Sequence, residues 1–140
     1  MNLVVDANII FSALLNPSSD IGTMLLSFDA EYRLFAPEFI RTELSRYSEK
    51  IRKYSKLNDD ELQLICREVF STVNLISEDL ISLENWKRAH HLLKEIDEDD
   101  TPFLALALEL NTKIWTGDKR LLTELQDHTV SSRELLSGKF

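Results

Sequence analysis

Short apolar runs alternate along this chain with longer segments whose apolar residues recur every three to four positions. The first run, "NLVVDA", is too short for a helix, is rich in Val and closes on Asp6, which predicts a strand. A helix is expected from about Asn8 to Leu15, broken by the loop "NPSSD" at Pro17. Asp20 is placed to cap a second helix, "IGTMLLSF". Tyr32–Pro37 reads as the second strand. One long helix is expected after it, with Phe39, Ile40, Leu44, Tyr47 and Ile51 on one side. Asn58–Glu61, "NDDE", has the form of a capping box before the helix "LQLICREVF". Val73–Ile76 is a third short strand, and "NWKRAHHLLKEI" is helical with Trp86, Ala89, Leu93 and Ile96 on one face. After an acid run comes a helix over Pro102–Leu110, in which Phe103, Leu104, Ala107 and Leu108 should bury and Ala105 and Ala107 should allow close approach to a sheet. A fourth strand (Lys113–Thr116), the helix "DKRLLTELQ", a fifth strand "HTVS" and a short helix "SRELLSG" complete the pattern.

Strands alternating with helices in this way predict an α/β fold, a three-layer sandwich with a central, mainly parallel five-stranded sheet and helices on both faces. Strand order does not follow from the pattern. At 140 residues the chain is expected to be a single domain, residues 1–140, with a core of its own. With three Gly and three Pro there is little material for linkers. No apolar run reaches the roughly 20 residues of a membrane span, and the first fifteen residues lack a signal-peptide pattern. A lone cysteine, Cys66, excludes an internal disulfide, and a cytoplasmic location is the expectation.

Charge narrows the function. The 24 acids outnumber the 16 bases, for a net charge of −8, which disfavours a passive nucleic-acid binder but not an enzyme whose acids hold cations. Six bases crowd into Arg41–Lys56, and Arg41, Arg46, Lys50 and Arg52 are the candidates for neutralising substrate phosphates; a solvated helix face with Glu/Lys pairing is at least as good a reading of that stretch.

In an open parallel sheet, function collects beyond the carboxyl ends of the strands. Asp6 ends strand one, Asp118 follows strand four in "IWTGD", and Glu43 sits near the second turn of the helix leaving strand two. Asp100 starts the helix that feeds strand four, so its reach to the same edge depends on how far that helix overshoots. Each has a bland reading: Asp6 and Asp118 as helix caps, Asp100 as an acid near a helix dipole, Glu43 as a surface acid. The case rests on the set. Carboxylates held close together raise one another's pKa unless a cation neutralises them, and a hard divalent ion with oxygen ligands does so.

The blocks "VVDANIIFSALL", "LFAPEFIRTEL", "DEDDTPFLALALEL" and "IWTGDKRLL", in this order, resemble the motifs of the PIN domain from Leu3 to about Leu136. The resemblance implies a parallel sheet flanked by helices and a metal-dependent nuclease acting mostly on RNA. It implies a tetrad of Asp6, Glu43, Asp100 and Asp118 around Mg²⁺ or Mn²⁺, with water attacking the phosphodiester in line to leave a 5′-phosphate and a 3′-hydroxyl. Asn8 and Thr116 match the family's auxiliary polar positions, and Asp97 sits where some members carry an additional metal-binding acid. Whether Asp97 or Asp99 assists Asp100 stays open; Glu98 and Asp99 are otherwise read as solvated acids. Single-domain members include VapC-type toxins paired with a small antitoxin protein, and members form homodimers, so both kinds of partner are implied beside the RNA substrate. The alternative is a non-catalytic PIN-scaffold protein or RNA-binding module, against which the complete tetrad argues.

The remaining chemistry-bearing residues fit no pattern. His90, His91 and His128 lack zinc-ligand spacing, Cys66 reads as a small hydrophobe, and Trp86 and Trp115 read as core. There is no Gly-rich phosphate loop. A phospho-acceptor receiver would need adjacent acids after strand one and a haloacid-type phosphohydrolase two aspartates flanking one residue, whereas the chain has "DAN".

Overall fold

The computed structural model describes residues 1–27 and 32–138. Its strands are β1 (Asn2–Val5), β2 (Arg33–Pro37), β3 (Val73–Ile76), β4 (Lys113–Trp115) and β5 (Thr129–Val130), joined in one sheet of order β3-β2-β1-β4-β5. Every pairing is parallel, for example Val4 beside Phe35 on one side and Ile114 on the other. The α/β architecture anticipated from the pattern is therefore present, with a fully parallel sheet.

The helices are α1 (Ala7–Leu15), α2 (Asp20–Ser27), α3 (Ile40–Arg46), α4 (Ser48–Tyr54), α5 (Asp59–Thr72), α6 (Leu83–Leu93), α7 (Thr101–Glu109), α8 (Lys119–Glu124) and α9 (Ser132–Ser137). Parallel strands are joined by right-handed crossovers. The connections from β1 to β2 and β2 to β3 step one way across the sheet, and those from β3 to β4 and β4 to β5 step the other. Helices α1–α5 therefore cover one face and α6–α8 the opposite one. The contacts agree: α1 packs against α2, α3, α4 and α5, while α6 lies on α7 and α7 on β1, β2 and β4. Being sandwiched, β1 is apolar on both sides, with Leu3, Val4 and Val5 all buried.

Four expectations need correction. The long helix after β2 is two helices, because the backbone leaves helical geometry at Tyr47 (φ −104°, ψ 8°). Both halves pack on α1, and the Tyr47 ring lies 5.3 Å from that of Phe11, so tertiary packing bends a segment whose apolar period runs straight through. Asp20 is the first residue of α2 rather than its cap; the Ser19 hydroxyl accepts from the Gly22 amide instead. Helix α6 ends at Leu93, short of Ile96. In α7, Leu108 is only half-buried, and Leu106 is buried in addition to Phe103, Leu104, Ala105 and Ala107. The Asn58–Glu61 capping box is present, with Glu61 N donating to Asn58 Oδ1 at 2.9 Å. The last residue assigned to the second helix, Phe28, lies outside the described residues.

No single helix among the described residues is long and apolar enough to cross a membrane.

Gly22 is where the α1–α2 corner is tightest. A Cβ there would stand 2.5 Å from the Pro17 carbonyl oxygen, a backbone atom that cannot swing away. Gly22→Ala should cost about 1–3 kcal/mol in urea unfolding. Gly117→Ala, where the nearest atom is Asn8 Oδ1 at 3.9 Å, should stay within about 0.5 kcal/mol. Equal effects at the two positions would refute the packing account.

Candidate functional site

The strand order reverses direction between β1 and β4. Crossovers leave the two strands toward opposite faces, and a crevice opens beyond their carboxyl ends. Asp6 follows β1 directly; its amide still pairs with the Trp115 carbonyl at 3.0 Å, so the residue is held at the edge of the sheet. Thr116 follows β4 and is held in the same way, its amide donating to the Val130 carbonyl at 3.1 Å.

One hydroxyl joins these two strand ends. Thr116 Oγ1 donates to Asp6 Oδ2 at 2.7 Å and accepts from Asn8 Nδ2 at 3.2 Å and from the Asp118 amide at 3.0 Å. That uses its single donor and both its acceptor positions. Asn8 Nδ2 also donates to Asp6 Oδ2 at 3.2 Å, while Asn8 Oδ1 accepts from the Gly117 amide at 3.2 Å. The orientation of Asp6 is thus fixed by two side chains that are themselves fixed. Asp6 occupies the cap position of α1 without a side-chain capping bond, and the Ala7 and Asn8 amides pull on its carboxyl less than the Thr116 hydroxyl does, so the bland reading of it as a cap describes only a lesser part of its role. For Asp118 that reading does hold in part: Oδ1 accepts from the amides of Arg120 and Leu121 at 2.9 and 3.3 Å, capping α8.

The other acids arrive from the two helical layers. Glu43 comes from α3 and is 9% exposed, with the charge of Arg46 acting on it from nearby. Asp97 caps the short turn Glu98–Asp100, its Oδ1 accepting from the Asp99 amide at 3.0 Å. Asp100 then stands at the start of α7. The overshoot on which its placement depended is realised. Asp6, Glu43, Asp97, Asp99, Asp100 and Asp118 line one cleft of about 360 Å³, with Asn8, Phe11, Arg46, Tyr47 and Lys50 on its walls.

The electrostatics record the crowding. Burial pushes the Asp6 carboxyl above its usual range against the pull of the Thr116 hydroxyl, and Asp118 adds to the rise. Burial also raises Glu43, helped by the charge of Asp6 and opposed by Arg46. Asp100 is pushed up to about 8, first by burial and then by Asp6, Asp97, Glu43 and Asp118 in turn. Three of the tetrad thus resist ionisation, and the named causes include one another. A hard divalent cation fits this donor set, since it takes carboxylate oxygens and removes the repulsion. As the side chains stand, no three His, Cys, Asp or Glu groups among the described residues form a ready-made cage for an ion. The fit therefore lies in donor chemistry and charge.

The basic stretch is divided. Arg46 and Lys50 face the cleft, whereas Arg41 and Arg52 line a separate apolar pocket beside Cys66 and Phe70. Arg46 Nη1 stands 3.9 Å from Asp99 Oδ2, so Asp99, read from sequence as merely solvated, shares the cleft wall. Sequence reasoning missed Arg120 altogether. Its guanidinium donates to the carbonyls of Glu95 and Ile96 at 2.8 and 3.4 Å, tying the start of α8 to the segment that delivers Asp97 and Asp100. An arginine in the first turn of a helix carries no local signal of such a reach. Tyr47, read from the sequence only as part of a helix's apolar side, meets the ring of Phe11 in the cleft wall.

Fold and cleft together define an α/β domain with a carboxylate cluster at the topological switch point of its sheet. The sequence profile of the PIN domain matches residues 4–134, and the chain belongs to the PIN domain family, whose members are in general nucleases. Among similar proteins, the uncharacterised protein MJ1680 of Methanocaldococcus jannaschii is 30% identical over 126 residues, covering 88% of this chain and 74% of the relative. Two solved structures share the fold. VapBC2 from Rickettsia felis, bound to a DNA fragment from its promoter, superposes with a TM-score of 0.64 at 14% identity over 94% of this chain and 98% of that one. VapBC-1 from nontypeable Haemophilus influenzae gives 0.66 at 17% identity over 95% and 99%.

The raised carboxyls make a stability prediction for the metal-free protein. Asp100 titrates at about 8 in the folded chain against 3.8 without the fold, so between those values the folded state binds more protons than the unfolded one. Its favourable contribution is complete below 3.8, declines as pH rises through the window, and is gone above about 8. Unfolding in chelator should show stability falling from pH 4 toward pH 8, and Asp100→Asn should flatten that slope and raise the melting temperature at pH 8. A steeper slope in the variant would contradict the assignment.

Proposed function

We propose that this protein is a metal-dependent endoribonuclease that hydrolyses RNA phosphodiester bonds in the cleft beyond β1 and β4. The observation that carries the reading is the convergence of Asp6, Glu43, Asp100 and Asp118 on one cleft, with Asp100 pushed up to about 8 first by burial and then by the neighbouring acids. Family membership supports a nuclease; the carboxylate donors support Mg²⁺ or Mn²⁺.

In this reading the tetrad holds the cation, with Asp97 beside Asp100. When bound, the ion supplies a Lewis acid for the phosphoryl oxygens and lowers the pKa of water in the cleft. Asn8 and Thr116 hold Asp6 in one orientation, the role that supporting partners play for metal-binding side chains. Arg46 and Lys50, the two bases on the cleft wall, meet the substrate backbone. Hydrolysis adds water across the bond between phosphorus and the 3′-oxygen: the water oxygen joins phosphorus, a proton passes to the leaving oxygen, and the products are a 5′-phosphate and a 3′-hydroxyl. The two structural relatives are VapBC complexes. They support pairing with a small antitoxin protein as the form in which the activity is held in check.

The test is cleavage of labelled RNAs in Mg²⁺, Mn²⁺ and chelator, with cation binding followed by calorimetry on the same protein. Cleavage should require the metal. Thr116→Val, which keeps the size of the side chain but removes its hydroxyl, should lose about 10–100-fold. Asp6→Asn should lose more, with its circular dichroism unchanged. An active Asp6→Asn variant, or a folded protein that neither binds the ions nor cuts RNA, would refute the proposal.

A further inference from the structure

Beside the acidic cleft runs a second, larger groove that the tetrad does not use. It has a volume of about 760 Å³ and is walled by Phe39, Trp86 and Pro102, with Lys87, His90 and Glu98 along it and Asp99 shared with the cleft. It is open to solvent along its length, so a flat group could lie against its wall. The groove continues past Trp86 and Phe39 toward Glu38, Thr42 and Glu78.

Both aromatic residues pack against the core while remaining only half-buried. For Trp86 this departs from the sequence reading, which made it core like Trp115; Trp115 is 0% exposed. Their surroundings are fixed. The Phe39 amide donates to Glu78 Oε1 at 2.6 Å, and the Arg46 guanidinium lies 5.8 Å from the centre of the Phe39 ring. The Thr101 hydroxyl donates to the Glu98 carbonyl at 2.6 Å, and His90 Nε2 stands 3.7 Å from Glu98 Oε1. Arg46 therefore stands between the two cavities: it touches the aromatic wall of one and lines the other.

We infer that this groove is a nucleobase subsite, in which an unpaired base of the RNA whose backbone enters the acidic cleft lies against Trp86 and Phe39. The inference rests on the nuclease reading for the identity of the strand. Three observations select a nucleotide as occupant. Aromatic rings with an accessible side offer the stacking surface that single-stranded nucleic acids use. The groove is continuous with the proposed phosphate-binding cleft through Asp99 and Arg46. Lys87 offers a cation for a flanking phosphate, while Glu98 and Asp99 offer acceptors for the N–H groups on the edge of a base. A base held in a duplex cannot enter, so the subsite selects unpaired substrate.

Trp86 is also the reporter. The protein has two tryptophans, and only Trp86 can meet a ligand, since Trp115 is fully buried. Short single-stranded RNA, kept intact by Asp6→Asn in Mg²⁺ at low salt, should quench tryptophan fluorescence saturably. The same RNA annealed to its complement, or carrying abasic sugars, should quench far less. Trp86→Phe should retain affinity measured by anisotropy within about threefold, whereas Trp86→Ala should lose on the order of tenfold or more. Equal binding of abasic RNA, RNA binding without quenching, no binding of any RNA, or a folded Trp86→Ala variant of unchanged affinity would each overturn the subsite. Cleavage by the otherwise unaltered chain separates the two claims. Metal-dependent cleavage with an unchanged KM in Trp86→Ala removes the subsite and leaves the nuclease. Base-dependent quenching in a chain that cuts no RNA removes the nuclease reading and leaves the groove.

Discussion

The hydrogen bond from Thr116 to Asp6 is the constraint around which the site is organised. It joins the carboxyl ends of β1 and β4 at the place where the chain changes direction across the sheet. A buried carboxyl without partners would be costly there. Its side-chain partners are Thr116 and the Asn8 amide two residues on, and Asn8 is in turn held by the backbone of Gly117. Parallel pairing makes this possible, because it brings both strands to the same edge in register, Val5 beside Trp115. Everything further from the centre is attached less directly. Asp118 is held by its own helix, Glu43 by the packing of α3 beside α1, and Asp100 by a turn that follows the Glu95–Ile96 backbone to which Arg120 of α8 bonds.

Seen this way, the parts of the molecule legible in its sequence are those determined by neighbours along the chain. Strand and helix types followed from periodicity, and the α5 capping box from four consecutive residues. Asp6 and Asp118 were placed by their position at strand ends. Glu43 was not distinguishable from any helix-surface acid on local grounds; the family resemblance singled it out, and the fold shows it buried in the cleft wall. The break at Tyr47 was not signalled because "RTELSRYSEK" holds no Pro or Gly and its Thr, Ser and Tyr disfavour a helix only weakly; α1 packs against both halves of the bend. That bend also explains why the basic stretch divides. Arg46 and Lys50 flank it and turn toward Phe39 and Phe11, while Arg41 faces Phe70. A charge run read along the chain says nothing about which side of a broken helix each residue takes.

The acid run shows a subtler limit. The sequence divided "DEDD" only with the help of the family resemblance, into Asp100 and Asp97 as candidate ligands and Glu98 and Asp99 as solvated acids, yet its members do four different things. Asp97 caps the turn, Glu98 stands near His90, Asp99 near Arg46, and Asp100 is carried into the cleft. The tight turn over Glu98–Asp100 makes the difference, since it fans consecutive side chains in different directions. Two of these residues then line the aromatic groove as well, so the same turn that delivers a carboxyl to the cleft shapes its neighbour.

Collecting carboxyls at one point works against folding. Each of Asp6, Glu43 and Asp100 is raised in part by another acid of the set, so in the ion-free protein the cluster is stabilised by protons and weakened as they leave. A ligand that binds only the folded state adds stability in proportion to the logarithm of its concentration over its dissociation constant. A divalent cation would thus relieve the penalty in the pH range where the protons no longer do. The same argument bears on substrate. For the RNA substrate proposed above, a chain of net charge −8 is on balance repulsive, so attraction depends on where positive charge is concentrated. Arg46 and Lys50 supply that charge at the cleft mouth, but Arg46 is shared with Asp99. Backbone attraction alone is therefore a weak basis for binding here, and contacts that do not depend on charge gain weight accordingly. Stacking on an aromatic wall is such a contact: it is insensitive to the sign of the surrounding field, and Phe39 and Trp86 offer it beside the cleft where the proposed ion would reverse the field.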